Sequence, residues 1–173
     1  MVAALPLVLF PFCVIAAALS DIRSFKIPNG LSVALIAGFA VAALVTGMDM
    51  AALGNHALTA AAVLVIGFVL FCLNIFGAGD VKILTAIALW FGWPSFLPCL
   101  IYIGLAGGIL SAAIIAARQF ARFFPGLSAW FRPLAVLAAA KKLKAPYGVA
   151  ICIGTLLTFD RSPLFEALFA RLH

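Results

Sequence analysis

Apolar residues run through this chain in blocks separated by short polar interruptions. Six blocks stand out, at 2–20, 31–47, 57–76, 81–92, 96–117 and 147–159. An α-helix needs about 20 apolar residues to cross a bilayer, and most of these blocks approach that length. The pattern predicts an all-α membrane protein with about six transmembrane helices in one integral domain over 1–173. Alanine enrichment within the blocks suits close helix packing. No internal repeat divides the chain.

The polar interruptions then assign sides. With the N-terminus outside, six spans leave 21–30, 77–80 and 118–146 on the inner side. Together with Lys82 just beyond, these connections hold nine of the eleven basic residues: Arg23, Lys26, Lys82, Arg118, Arg122, Arg132, Lys141, Lys142 and Lys144. Cytoplasmic loops carry such an excess of Lys and Arg, so the net charge of +6 is a topology signal and implies no nucleic-acid partner. The first block lacks a basic flank ahead of it and reads as a span, with cleavage at "AAALSD" as the alternative. The loop 118–146 mixes aromatics with cations and reads as a basic anchor on anionic lipid. Trp90 and Trp93 suit an outer aromatic belt. The tail "SPLFEALFARLH" reads as an interfacial helix with Phe165, Leu168, Phe169 and Leu172 on one face.

Composition agrees. The chain is 67% hydrophobic and 9% charged, too few charges to solvate a soluble domain of 173 residues. Cys13, Cys72, Cys99 and Cys152 stand alone in apolar runs without CxxC spacing. They read as packing residues, with no metal site or disulfide framework. His56 and His173 fall on the outer side, with no catalytic or metal role expected.

Two of the five acidic residues share the inner side. Asp21 ends the first span, and Asp80 opens the fourth in "NIFGAGDVKIL". An ionisable group beside hydrocarbon is costly, which makes a functional role the default reading. The structural alternative is that Asp80 caps a helix. Two carboxylates sharing a site do not both ionise easily, so one holds a proton while the other acts as base. Such a pair can activate water against a peptide carbonyl and protonate the leaving nitrogen. On helix-dipole grounds the C-terminal position of Asp21 favours its protonated form and the N-terminal position of Asp80 its carboxylate. Asp80 is then the initial base. From Val81 to Gly92 is about 18 Å of helix, which sets Asp80 below the inner surface of a hydrocarbon core about 30 Å thick. Gly77 and Gly79 would let a substrate strand approach that carboxylate.

At these residues the chain resembles the type IV prepilin peptidases. "GAGD" at 77–80 fits the GxGD signature of intramembrane aspartyl proteases, and "SDIRSFKIPN" at 20–29 and "APYGVAI" at 145–151 match in family order. The resemblance covers about residues 10–160. It implies a peptidase of the bacterial inner membrane that removes a short basic leader from prepilins and pseudopilins on the cytoplasmic side, with Asp21 and Asp80 as the catalytic pair. Larger members carry a cysteine-based zinc motif and a methyltransferase activity. This sequence has no clustered cysteines, so no cofactor is implied. Its short form resembles the peptidases of Tad/Flp pilus systems, which implies contact with pilus assembly machinery. The resemblance also sets Pro146, Tyr147 and Gly148 at the active-site mouth; by themselves they read as a helix start with an interfacial Tyr.

The remaining inner-side residues have plainer readings. Lys82 lies two positions from Asp80, on the opposite side of a helix, and reads as a snorkelling anchor, with a place at the active-site mouth beside Lys26, Pro28 and Asn29 as the alternative. Lys26 and Arg23 suit headgroup contact, although the loop could also bind substrate. Pro28 marks a turn, Asn29 is placed to cap the second span, and Asn74 to hydrogen-bond across helices. A competing class is a proton-coupled transporter, since paired membrane acids also relay protons. Such proteins usually place acids near the midplane in repeated halves. Both acids here sit toward one face. Loss of activity with retention of the scaffold is a further alternative, disfavoured because both aspartates and both glycines are intact.

Overall fold

The computed structural model describes residues 4–123 and 145–171. Among them the secondary structure is entirely helical: α1 (Ala4–Ser24), α2 (Asn29–Thr46), α3 (Met50–Cys72), α4 (Ala78–Phe91), α5 (Phe96–Phe123), α6 (Tyr147–Leu156) and α7 (Pro163–Ala170). A 3-10 turn, Phe159–Arg161, precedes α7. Most of the 118–146 loop, Leu172 and His173 lie outside the described residues.

Four helices are long and apolar enough to cross a membrane: α1, α2, α3 and the Phe96–Ala121 part of α5. The chain is a multi-pass membrane protein. The 14 residues of α4 and 10 of α6 make about 21 and 15 Å of helix, short of a bilayer core. The six blocks of the sequence thus become four long helices and two short ones.

The short helices occupy the middle. α4 buries Val81, Ile83, Leu84, Ala86, Ile87, Ala88, Trp90 and Phe91, and packs against α2 and α3. α6 lies between α1 and α5. Trp90 is fully buried instead of joining an outer belt, because its indole N–H donates to the Leu35 carbonyl at 3.0 Å and its ring stacks on Phe165. Phe10 closes that cluster, 4.9 Å from both rings. The tail is therefore no surface helix: Leu164, Phe165 and Leu168 of α7 are buried in the protein. Amphipathicity gives an apolar face but does not say whether lipid or protein covers it.

α3 begins at Met50, seven residues before the apolar block. Asp49 caps it, accepting the Ala52 N–H at 2.7 Å. The polar Asn55 and His56 are thus helical, and both find backbone partners at the end of α4. Asn55 pairs with the Trp93 carbonyl at 2.6 Å and the Trp93 N–H at 3.2 Å. His56 Nδ1 meets the Leu89 carbonyl at 2.6 Å. Gly92, at φ +64°, lies against the imidazole ring, where a Cβ would stand 3.1 Å away.

The seam between α5 and α6 depends on Gly154, because a Cβ there would collide with the backbone of Ile103. Gly154→Ala should cost about 1–3 kcal/mol by overpacking and lower the melting temperature in detergent. Gly104→Ala, where a Cβ meets nothing within 4 Å, is the control and should melt like the parent. Equal melting of both variants would contradict this packing.

Candidate active site

Asp21 sits in the last turn of α1 and is only 6% exposed. Its buried carboxylate is satisfied across the bundle: Oδ2 accepts the Gly148 N–H at 2.7 Å. Gly148 is the second residue of α6, whose first N–H groups have no partner within the helix. Asp21 therefore supplies an acceptor at the positive end of α6. The fit is tight, since a Cβ on Gly148 would stand 2.9 Å from the Asp21 Cβ. Pro146 is the residue flanking the start of α6, and Tyr147 begins the helix.

Asp80 lies in the first turn of α4, three residues after Gly77 at the cap position. Its side chain takes a backbone hydrogen bond from Gly77, the reach-back half of a capping box. A Cβ on Gly77 would lie 3.0 Å from Asp80 Oδ2, so that glycine makes room for the carboxyl. Gly79 lets the α1–α2 connection close in, with Ile27 Cβ 3.3 Å from where a Cβ would be. The capping role of Asp80 is real, and it coexists with a place in a shared cavity.

That cavity, about 460 Å³, is lined by Asp21 and Asp80 together with Phe25, Asn74, Phe76 and Tyr147. A second, of about 320 Å³, shares both acids and adds Lys26, Asn29, Gly79 and Lys82. Of the predicted residues, the structure thus brings Asp21, Asp80, Gly77, Gly79, Lys26, Asn29, Lys82 and Tyr147 to one place. Gly148 touches it through Asp21, and Pro28 and Pro146 start the helices behind it. Among the described residues no group of three or more His, Cys, Asp or Glu side chains could hold a metal.

Three readings change here. Lys82 shares a cavity wall with Asp80 despite the two-residue spacing, because the cavity wraps the mouth of α4. Asn29 does not cap α2: Pro28 holds the cap position, and Asn29 Oδ1 accepts from Lys82 Nζ at 3.2 Å. Asn74 sits in the turn after α3, at φ +58°, and lines the cavity. Phe25 had no sequence signal. Its φ of +51° comes from the turn that closes α1, where the Ser20 hydroxyl donates to the Lys26 carbonyl at 2.7 Å and the Ser24 hydroxyl to the Ser20 carbonyl at 2.9 Å.

Asp80 precedes the apolar run 81–92. Its carboxyl is pushed up to about 6, first by burial and then by the negative charge of Asp21, with the Gly77 hydrogen bond acting the other way. Two acids that feel each other's charge across one cavity are equipped to hold a single proton between them.

Residues 8–112, well over half the chain, match the type IV leader peptidase family. The chain belongs to that family. No match is found among curated proteins, and none among solved structures. The family match covers Asp21, the GAGD turn and Asp80, and stops before Tyr147 and Gly148.

Gly148→Ala tests the coupling between α6 and Asp21. The added methyl should displace the Asp21 carboxyl and lower peptidase kcat by about a hundredfold, the scale of loss for a shift of about 1 Å within an active site. Peptidase assay beside a detergent melting curve checks it; a folded variant of parental kcat would refute the coupling.

Proposed function

We propose that this chain is an aspartyl endopeptidase, with Asp21 and Asp80 as its catalytic pair. It removes the leader from prepilins and pseudopilins, of the small Flp type, at the cytoplasmic side of the bacterial inner membrane, and so serves pilus assembly. The observation that carries this reading is the convergence of the two carboxylates on one cavity in a member of a leader peptidase family. The basic inner connections support the cytoplasmic placement.

The surroundings of the acids support roles that are the reverse of those each acid's own helix suggests. Asp21 faces the start of α6 and accepts the Gly148 N–H there. Asp80, raised by burial and by Asp21, holds the proton. Asp21 takes a proton from a water held between the acids, and the water oxygen attacks the scissile carbonyl carbon. Asp80 gives its proton to the carbonyl oxygen as the tetrahedral intermediate forms. The intermediate collapses as the C–N bond breaks, and Asp21 passes its proton to the leaving nitrogen. The hydroxyl proton returns to Asp80, and the pair is restored.

Cleavage of a membrane-inserted Flp-type prepilin, followed by its gel shift, tests the assignment. Asp21→Asn and Asp80→Asn should each abolish the shift at equal enzyme level, and a variant that cleaves at the parental rate would remove that aspartate from the mechanism. The kcat/KM profile should also fall on the alkaline side. A raised acid keeps its proton below its pKa and loses it as pH rises, so the falling limb should lie at or above about 6, with the value belonging to the pair. Activity that climbs throughout the alkaline range would contradict Asp80 as the proton donor.

A further inference from the structure

Two basic residues stand apart from the inner connections, Arg161 and Arg171. Both come out at the end of the bundle remote from the acids, where α2 and α4 finish. Arg171 is occupied there: its guanidinium donates to the Thr46 carbonyl at 3.0 Å and closes the end of α2. The Arg161 guanidinium has no such acceptor and no carboxylate partner among the described residues, although Asp160 and Glu166 are near it in sequence. It lies instead over the Tyr102 ring, 5.8 Å from the centroid. A guanidinium held on a ring face keeps its N–H donors for an anion.

The turn that carries Arg161 is fixed from both sides. The buried Thr158 hydroxyl donates to the Gly154 carbonyl at 2.8 Å, the Arg161 N–H to the Thr158 carbonyl at 3.0 Å, and the buried Ser162 hydroxyl to the Trp90 carbonyl. Beside this turn lies a groove of about 580 Å³, whose walls include Ser95, Leu97, Ile101, Tyr102 and Arg161. An apolar stripe leads out of it along α5: Leu97, Ile101, Leu105 and Ile109 recur every four residues, and all are exposed. The stripe is about 18 Å long, against about 15 Å for one leaflet of a hydrocarbon core. α5 is long and apolar enough to span, so the stripe faces lipid. A fixed cation thus stands at the head of an apolar track one leaflet deep.

We propose that this groove is a binding site for an anionic phospholipid of the leaflet remote from the acids, with its phosphate on Arg161 and an acyl chain along the α5 stripe. Charge decides the headgroup, because a guanidinium matches the geometry of phosphate oxygens. The stripe decides the source, because it offers only apolar contact and nothing to a soluble anion. The bound lipid would tie the start of α5 to the turn after α6, and the proposal does not depend on the catalytic reading.

Tryptophan fluorescence of the full chain in bilayers tests it. Trp93, exposed and adjacent to Pro94 of the groove, is the reporter; Trp90 is fully buried, and Trp130 is replaced by Phe. Phosphatidylcholine bilayers receive the same fraction of either phosphatidylglycerol or phosphatidylcholine with brominated chains, which quench nearby indole. Phosphatidylglycerol should quench Trp93 as though enriched roughly threefold there, the scale of an exposed ion pair, and the enrichment should fade in about 1 M salt. Arg161→Gln should abolish it and Arg161→Lys retain part of it. Arg23→Gln, which removes the same charge at the acid-bearing end, should leave it intact. Equal quenching by the two lipids in the parent would overturn the site, as would enrichment that survives Arg161→Gln or high salt, or that is lost equally in Arg23→Gln. Loss of the enrichment to millimolar inorganic phosphate, at ionic strength matched with chloride, would assign Arg161 to a soluble anion and overturn it too. Quenching by both lipids that falls as the protein density in the bilayer rises would give the groove to a second copy of the chain instead.

Discussion

A carboxylate in a membrane protein must find a partner that water would otherwise supply. For Asp21 that partner is the Gly148 N–H, 127 residues along the chain. The contact joins the end of α1 to the start of α6, satisfying one acceptor and one of the donors that every helix start leaves open. It also fixes where the second acid must come. α6 sits against α1, α4 reaches the bundle centre through α2, and the first turn of α4 then presents Asp80 to the same cavity.

Helix length turns this arrangement into a depth. α4 and α6 are too short to span, and both begin at the acid-bearing end. Their starts lie where backbone hydrogen bonds are incomplete, and non-helical backbone below a membrane surface is tolerated only when it is buried or lines a cavity. The 73–77 turn and the Ser24–Pro28 turn line one here. At the opposite end the same need for partners is met by Asn55 and His56 on the backbone of 89–93, and by the Ser162 hydroxyl on the Trp90 carbonyl.

Much of this was legible in the sequence, and the failures have physical causes. Apolar runs marked every long helix, since lipid demands them. The paired acids stood out because hydrocarbon tolerates few charges. The start of α3 was hidden because Asn55 and His56 look like loop residues until their partners, more than thirty positions on, are known. The burial of α7 was hidden because lipid and protein cover an apolar face equally well. The covered wall of Lys82 could not be inferred from helix angle alone, because the cavity surrounds a helix end where no side is fully opposite.

The claim on which the account turns is that Asp21 and Asp80 face each other across one cavity. Cross-linking of Asp21→Cys with Asp80→Cys in membranes measures it most directly. Cys72, the exposed native thiol, is first replaced by Ser, while Cys13, Cys99 and Cys152 are buried. The account predicts that a short bis-maleimide joins the two new thiols within one chain, and that Asp21→Cys paired with Asp49→Cys, from the cap of α3, gives no product. Efficient labelling of both new thiols without a cross-link between them would contradict it.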